Sequence, residues 1–422
     1  MHTYASAVLG CKVNDYEAAY VEQELNRDYR KVSFRERADI YIIFTCAVTN
    51  VAEGKSRKMI HQARRLNPEA FIVAVGCYAQ TGPAEAFTDV DLLIGSTEKK
   101  RIKELIDERY AGSLVRKMER HPVFETMPLL DYSRKERAFL KIQDGCDQYC
   151  SYCIIPYARG GERSAAHEQV LDCARALCEH TSEIVLTGIH TGRYYDGEYH
   201  LIDLIRELVK IEGLKTLRLS SIEITEIHDD LIELYMTEEK MAHHLHIPLQ
   251  SGSNKVLKEM NRPYTTEEFL QRITEIRERV PGISISTDLI SGFPGESEED
   301  QQETLQTLEK AQFSFIHLFP YARKKGTVAD RRRDFVAPAV VKERIAAINE
   351  LEAPIKEAYA ASFLGKEVTV FIERSEKGRS EGYCREYLYT VLPEELPVGS
   401  LQRVKVREVR NGELYGEVRA CC

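Results

Sequence analysis

The 422-residue chain has no tryptophan and no low-complexity tract, and no part of it resembles a bilayer span. A spanning helix needs roughly 20 consecutive apolar residues, and no stretch approaches that, so no membrane role is expected. The chain also lacks a basic segment ahead of an apolar one. The short run Tyr4–Leu9 meets Gly10 and Cys11 at once, which reads as no secretory signal and a cytoplasmic protein. Positive charge is in short supply: 58 Lys and Arg stand against 67 Asp and Glu, a net of −9. A uniformly basic nucleic-acid binder is thereby excluded, although a phosphate-binding surface needs only a local patch. The candidates are Lys55, Arg57 and Lys58 with Arg64 and Arg65, and the run from Arg323, Lys324 and Lys325 to Arg331, Arg332 and Arg333. Either one reads equally well as a solvated surface.

What the chain has in excess is cysteine. An odd count of 11, with no export signal, argues against a disulfide framework and for metal ligation.

The length suits two or three domains, and the pattern changes character twice. Residues 1–125 alternate strand and helix: apolar runs Tyr4–Leu9, Asp39–Phe44 and Phe71–Val75, with helix-like stretches Asp15–Arg27 and Gly54–Leu66 between them. That is the pattern of an open parallel α/β sheet. Residues 132–361 repeat a βα unit about six times. The expected strands are Phe139–Gln143, Glu183–Thr187, Thr216–Ser220, His243–Pro248, Ile283–Ile290 and Ser314–Phe319, a partial (β/α)6 barrel with its site at the strands' C-terminal ends. Residues 362–422 read as a small antiparallel β-barrel, with strands Glu367–Glu373, Tyr387–Leu392, Ser400–Val409 and Glu413–Val418 and turns at Lys377-Gly378 and Asn411-Gly412.

The sharpest motif is Cys146-Asp-Gln-Tyr-Cys150-Ser-Tyr-Cys153, on the loop after the first barrel strand. Three thiolates on one tight loop can hold three irons of a [4Fe–4S] cluster and leave the fourth open to a small molecule. Structural zinc, the other reading, wants a fourth Cys or His. The nearest, His167 and Cys173, lie beyond a Gly-rich turn in helix-like sequence. A second trio, Cys11, Cys46 and Cys77, has no local spacing, but each follows a strand of the first segment. In open α/β sheets the loops at that edge converge, so the three can meet. Alone they read equally well as buried core cysteines.

Here the sequence resembles a known family. The loop motif leading a six-fold βα series is similar to the radical S-adenosylmethionine (SAM) superfamily. The wider phrases Leu9–Asn14 (LGCKVN), Thr45–Thr49 (TCAVT), Gly76–Gln80 (GCYAQ), Gly145–Gly160, Leu245–Ser253, Asp288–Glu296 and Phe319–Thr327 resemble the methylthiotransferases within it, over essentially the full length. The resemblance implies a methylthiotransferase N-terminal domain whose auxiliary [4Fe–4S] cluster sits on Cys11, Cys46 and Cys77. It further implies a radical SAM core with a second cluster on Cys146, Cys150 and Cys153, and a C-terminal RNA-binding TRAM domain. One SAM methylates a sulfur held at the auxiliary cluster; another supplies the radical that activates the substrate carbon. The phrases most resemble the bacterial branch acting on N6-threonylcarbamoyladenosine of tRNA, which implies the tRNA anticodon stem-loop, a reducing electron donor and a sulfur source as partners. The alternatives are a ribosomal-protein aspartate, isopentenyladenosine in tRNA, or, from another class, a noncatalytic iron–sulfur RNA-binding protein.

The SAM contacts are carried by weaker signals. The backbone around Tyr152 is expected near the adenine. Gly188, in Thr187-Gly-Ile-His190, follows the second strand, where this chain departs from the Gly-Gly-Glu form usual in the superfamily. Ser220, Ser221 and Glu223 after the third strand, and Gln250 and Ser251 after the fourth, suit the ribose or carboxylate of SAM, or loop hydrogen bonds. His243, His244 and His246 read as barrel lining and helix contacts. Cys173 and Cys178 read as core, while Cys384, Cys421 and Cys422 carry no assignment.

Overall fold

The computed structural model describes residues 2–132 and 137–419; Cys421 and Cys422 lie outside the described residues. The N-terminal segment is a six-stranded, wholly parallel sheet of β1 (Thr3–Val8), β2 (Arg30–Lys31), β3 (Ile40–Thr45), β4 (Phe71–Gly76), β5 (Leu92–Ile94) and β6 (Gly112–Ser113), in spatial order β2-β1-β3-β4-β5-β6. The two central strands, IYIIFT and FIVAVG, are buried at every position, as expected where helices cover both faces of a parallel sheet. Their side chains alternate between two cores. Ile40, Ile42 and Phe44 pack with Tyr16 and Tyr20 of helix α1 (Lys12–Leu25), in a core that runs on into the second domain. Tyr41 and Ile43 pack with Ile60 and Ala63 of helix α2 (Asn50–Leu66) on the other face. Helix α2 starts where the Thr49 side chain accepts from Ala52 N at 3.1 Å, and it ends with Arg64 and Arg65 on its negative pole.

The second segment has six parallel strands: β7 (Ala138–Lys141), β8 (Glu183–Thr187), β9 (Thr216–Leu219), β10 (His244–His246), β11 (Ser284–Ser291) and β12 (Phe315–Pro320). Two three-stranded sheets meet through the bridges Leu217↔Met241 and Ser221↔His246. The strands therefore run β7-β8-β9-β10-β11-β12 in one arc. Among the described residues β7 and β12 are not paired to each other, so the barrel is partial, and α1 of the first domain packs against β7.

The C-terminal segment follows the long helix Pro338–Ala361. It is a closed barrel of β13 (Glu367–Glu376), β14 (Arg379–Cys384), β15 (Tyr389–Leu392), β16 (Leu401–Arg410) and β17 (Glu413–Val418). All its pairs are antiparallel except the β15–β17 seam, which is parallel. This barrel docks on the N-terminal ends of the β7–β12 strands. Arg218 Nη2 of β9 donates to Cys384 O at 2.8 Å, Arg385 Nη2 donates to Met241 O at 2.7 Å, and Tyr387 stacks on His244 at 4.6 Å. The cysteine-bearing loops are at the other end.

Candidate active site

Cys11, Cys46 and Cys77 each follow directly on a β1, β3 or β4 strand or its short turn, and backbone geometry explains the residues around them. Gly10 has φ +97°, and a Cβ there would lie 2.5 Å from Cys46 Sγ; Gly76 has φ +111°, and its Cβ would meet Thr45 O at 2.8 Å. Only glycine lets these chain segments approach so closely. The Asn14 amide donates to Leu9 O at 2.8 Å and Thr45 O at 2.9 Å, tying the first two strand ends together. Thr45 Oγ1 donates to Val75 O and accepts from Ala79 N, tying the second to the third. Cys46 Sγ accepts from Val48 N at 3.5 Å, and Cys77 Sγ accepts from Arg159 Nε at 3.2 Å. Burial raises the Cys11 thiol pKa, opposed by Arg159; burial and the neighbouring Cys77 push Cys46 up to about 12. Buried thiols of this kind stay protonated until a metal displaces the proton.

The second trio is wrapped by its own loop. Cys146 N donates to Gly160 O at 3.1 Å and Cys153 N to Cys150 O at 2.9 Å. Each sulfur receives a donor: Gln148 N to Cys146 at 3.4 Å, Arg262 Nη1 to Cys150 at 3.4 Å, and Ile155 N to Cys153 at 3.5 Å. Burial raises Cys150, with Arg262 opposing, and burial with Cys150 pushes Cys153 up to about 12. Four ligands 2.3 Å from one zinc stand about 3.8 Å apart. Among the described residues, the ligand atoms of Cys146, Glu162 and His190 form the one mixed trio mutually within 4.8 Å, and neither cysteine trio does. The wider spread suits a multi-iron cluster. The fourth zinc ligands considered are engaged elsewhere: His167 stacks on Tyr199 at 4.0 Å, and Cys173 is buried against Tyr16 in the α1 core.

Two cavities flank these sulfurs. A chamber of about 850 Å³ is lined by Cys11, Gly188, Ser220 and Ser221, with Tyr383 and Tyr387 of the C-terminal barrel at its far end. A smaller pocket of about 210 Å³ is lined by Tyr152, Cys153, Gln250 and Ile290, and by Val48 and Thr49 of the first domain. Asp288 and Phe319 border both. Two expected contacts turn elsewhere: Glu223 pairs with Arg262, and Ser251 is buried with its hydroxyl accepting from Ser253 N at 3.3 Å. His244 and His246 share Ser286 Oγ in the barrel lumen, at 2.7 and 2.9 Å. Cys384 is buried in the C-terminal barrel core.

Several groups near the sulfurs are invisible to motif reading. His190 Nδ1 lies 3.5 Å from Cys146 Sγ and 2.8 Å from Glu162, and its Nε2 is 2.7 Å from Glu226. Burial opposes its protonation, but the contacts to Cys146, Glu162 and Glu226 win and push it up to about 12. Lys324 is not a surface cation: it is 4% exposed and bonds Asn50 at 3.0 Å and Glu53 at 2.7 Å, pinning the first domain to the second. Arg323 and Arg332 are likewise paired, with Asp330 and with Asp334 and Glu259, so the second basic run is largely spent internally. Lys55, Lys58 and Arg65 on α2 are exposed.

Residues 140–308 match the radical SAM superfamily, and residues 3–95 match an uncharacterised family designated UPF0004. The chain is 38% identical over 99% of its length to the threonylcarbamoyladenosine tRNA methylthiotransferase MtaB of Bacillus subtilis (strain 168), covering 96% of that protein. It is 33% identical to the ribosomal protein uS12 methylthiotransferase RimO of Desulfitobacterium hafniense (strain Y51), covering 98% of each. In fold it is similar to the radical SAM methyltransferase TsrM of Kitasatospora setae, with a TM-score of 0.56 over 90% of this chain and 81% of that one, at 16% identity.

Proposed function

Because the chain belongs to the radical SAM methylthiotransferase family, we propose that it converts N6-threonylcarbamoyladenosine beside the tRNA anticodon to its 2-methylthio derivative. The observation that carries this reading is the full-length similarity to a methylthiotransferase of that substrate, in a chain where Cys11 lines a chamber and Cys153 a smaller pocket, both bordered by Asp288 and Phe319. Cys146, Cys150 and Cys153 would hold the cluster that binds SAM. Cys11, Cys46 and Cys77 would hold the auxiliary cluster. With clusters and SAM bound, the site supplies hydrogen abstraction from carbon and a methylthio unit.

The protein's own residues have separable parts in this. Tyr152, Gln250 and Ile290 form the walls of the small, mainly apolar pocket beside Cys153, where an adenine ring would pack. Gly188, Ser220 and Ser221 line the chamber and would contact SAM there. Lys12, His246, Ser286, Asp288 and His317 give the same chamber a polar wall. That wall favours a threonylcarbamoyl group, with its carboxylate and hydroxyl, over an isopentenyl group, which would leave buried polar groups unpaired. The exposed Lys55, Lys58 and Arg65 and the C-terminal barrel would contact the RNA stem-loop. We place the reaction in the cytoplasm, with a reducing electron donor and a sulfur source completing it.

The test is mass spectrometry of tRNA nucleosides from cells with and without the gene. Loss of 2-methylthio-N6-threonylcarbamoyladenosine, with its precursor accumulating, is expected. An unchanged profile with a methylthio mass missing from a ribosomal protein would move the substrate there. No change in either would sink the catalytic reading.

A further inference from the structure

Arg159 is the largest fully buried side chain among the described residues. It ends the five-residue helix Ile155–Arg159 that follows Cys153, at the turn whose next carbonyl, Gly160 O, accepts from Cys146 N. Its guanidinium leaves that loop and enters the first domain. Nε donates to Cys77 Sγ at 3.2 Å. Nη1 donates to Glu17 Oε1 and Asp144 Oδ1, both at 3.0 Å, and Nη2 to Asn14 Oδ1 at 3.1 Å and Glu17 Oε2 at 3.2 Å. All five N–H groups of an arginine are thereby used, so its position is over-determined. Asn14, one of its partners, is the residue that ties the Cys11 and Cys46 strand ends.

The charge around it is unbalanced. Lys99 bonds Glu17 at 2.6 Å, Lys141 bonds Glu17 at 2.8 Å and Asp144 at 2.7 Å, and Arg163 bonds Asp144 at 3.0 Å. With Arg159, four cations contact two carboxylates. Side chains of Arg159, Glu17 and Lys99 are 0% exposed, those of Lys141, Asp144 and Arg163 no more than 7%. Buried charge of one sign is costly unless a partner neutralises it; Glu125 lies near Lys99 and Lys141, and the further partners in reach of Arg159 are the Cys77 and Cys11 sulfurs. Three thiolates around an iron–sulfur core make a net anion, and this network is arranged to meet it.

We propose that Arg159 is a positioning residue that locks the two cysteine trios in one register, and that its cation raises the reduction potential of the cluster on Cys11, Cys46 and Cys77. Hydrogen bonds to cluster sulfurs and local positive charge both favour the reduced, more anionic state. Through Asn14 and Cys77 it touches the first trio; through its own helix it is continuous with the second. The proposal rests on the cluster assignment above, and its test separates the two.

The experiment uses the full chain, reconstituted anaerobically, with Cys146, Cys150 and Cys153 all replaced by Ala so that one cluster remains. Its midpoint potential is read by EPR-monitored titration with Arg159→Gln, Arg159→Lys and Glu17→Gln added singly. Removing the cation in Arg159→Gln is expected to lower the potential, removing an anion in Glu17→Gln to raise it, and Arg159→Lys to fall between. In the otherwise unmodified chain, Arg159→Gln should keep iron at both sites while the ratio of 5′-deoxyadenosine to methylthiolated product rises severalfold. A potential unchanged in Glu17→Gln, with iron retained, overturns the proposal and leaves the cluster assignment standing. Absence of any cluster in the starting variant overturns the assignment itself. Should Arg159→Gln not fold, Glu17→Gln still decides.

Discussion

Gly10 shows how narrow the tolerance of the site is at single positions. Its φ of +97° lies where an L side chain is strained by about 1–2 kcal/mol, and a Cβ there would lie 2.5 Å from Cys46 Sγ. Gly10→Ala is therefore expected to lose the iron of the first trio while the Cys146 loop keeps its own, read as iron per chain together with 5′-deoxyadenosine formation from SAM. The cysteines themselves split the same way. Cys153→Ala should abolish both SAM cleavage and product, whereas Cys77→Ala should abolish product and spare cleavage; the reverse pattern would exchange the roles of the trios. At this scale, legibility followed sequence distance. The Cys146–Cys153 loop carries its spacing within eight positions and could be read directly. Arg159 could not, because the partners that define it, Asn14, Glu17 and Cys77, are 145, 142 and 82 positions away.

Among the elements, the expected barrel strands and those observed differ by no more than about two residues at either end, because each lies between two helix-like stretches in a regular βα series. The strand Arg379–Cys384 was not foreseen. Its sequence RSEGYC has no apolar alternation, and Gly382 sits where a Cβ would meet Phe371 O at 1.8 Å, a close approach of two strands that demands glycine. Tyr387 was expected inside a strand but takes φ +65° in a turn, where it stacks on His244 of another domain. Helix Glu298–Ala311 offers a pH test. Asp300 closes its capping box with Ser297 and also bonds Ser253 at 2.8 Å and Lys255 at 2.6 Å. Burial alone would raise its carboxyl; the bonds to Lys255, Ser297 and Ser253 outweigh that and hold it at about 2, below the usual 3.8. A depressed acid contributes stability that is fully present above its unfolded pKa and fades as pH falls through the folded one. Asp300→Asn should cost about 1 kcal/mol at neutral pH and flatten the acid limb of the stability curve between roughly pH 4 and 2, as read by urea titration across pH.

Over the whole molecule, the three domains are joined by buried ions rather than by linkers. Lys324 with Glu53, and Arg159 with Glu17, fasten the first domain to the loop end of the barrel. Arg218 fastens the C-terminal barrel to the opposite end: it pairs with Glu183 at 2.6 Å, donates to Cys384 O and Arg385 O, and lies over the Tyr387 ring. The C-terminal barrel is thus part of the chamber wall, because Tyr383 and Tyr387 close the far end of the chamber that Cys11 borders. Its removal would open the chamber. Arg218→Met tests this without deleting anything. It leaves Glu183 buried with the more distant Arg137, at 3.6 Å, and should destabilise by about 3 kcal/mol. Limited proteolysis should then cut first near residue 362, ahead of Glu367. If the barrel is part of the chamber, KM for the modified stem-loop should rise while SAM cleavage without RNA stays unchanged, since the pocket beside Cys153 shares no residue with this contact. An unchanged KM with the same loss of stability would reduce the barrel to a prop.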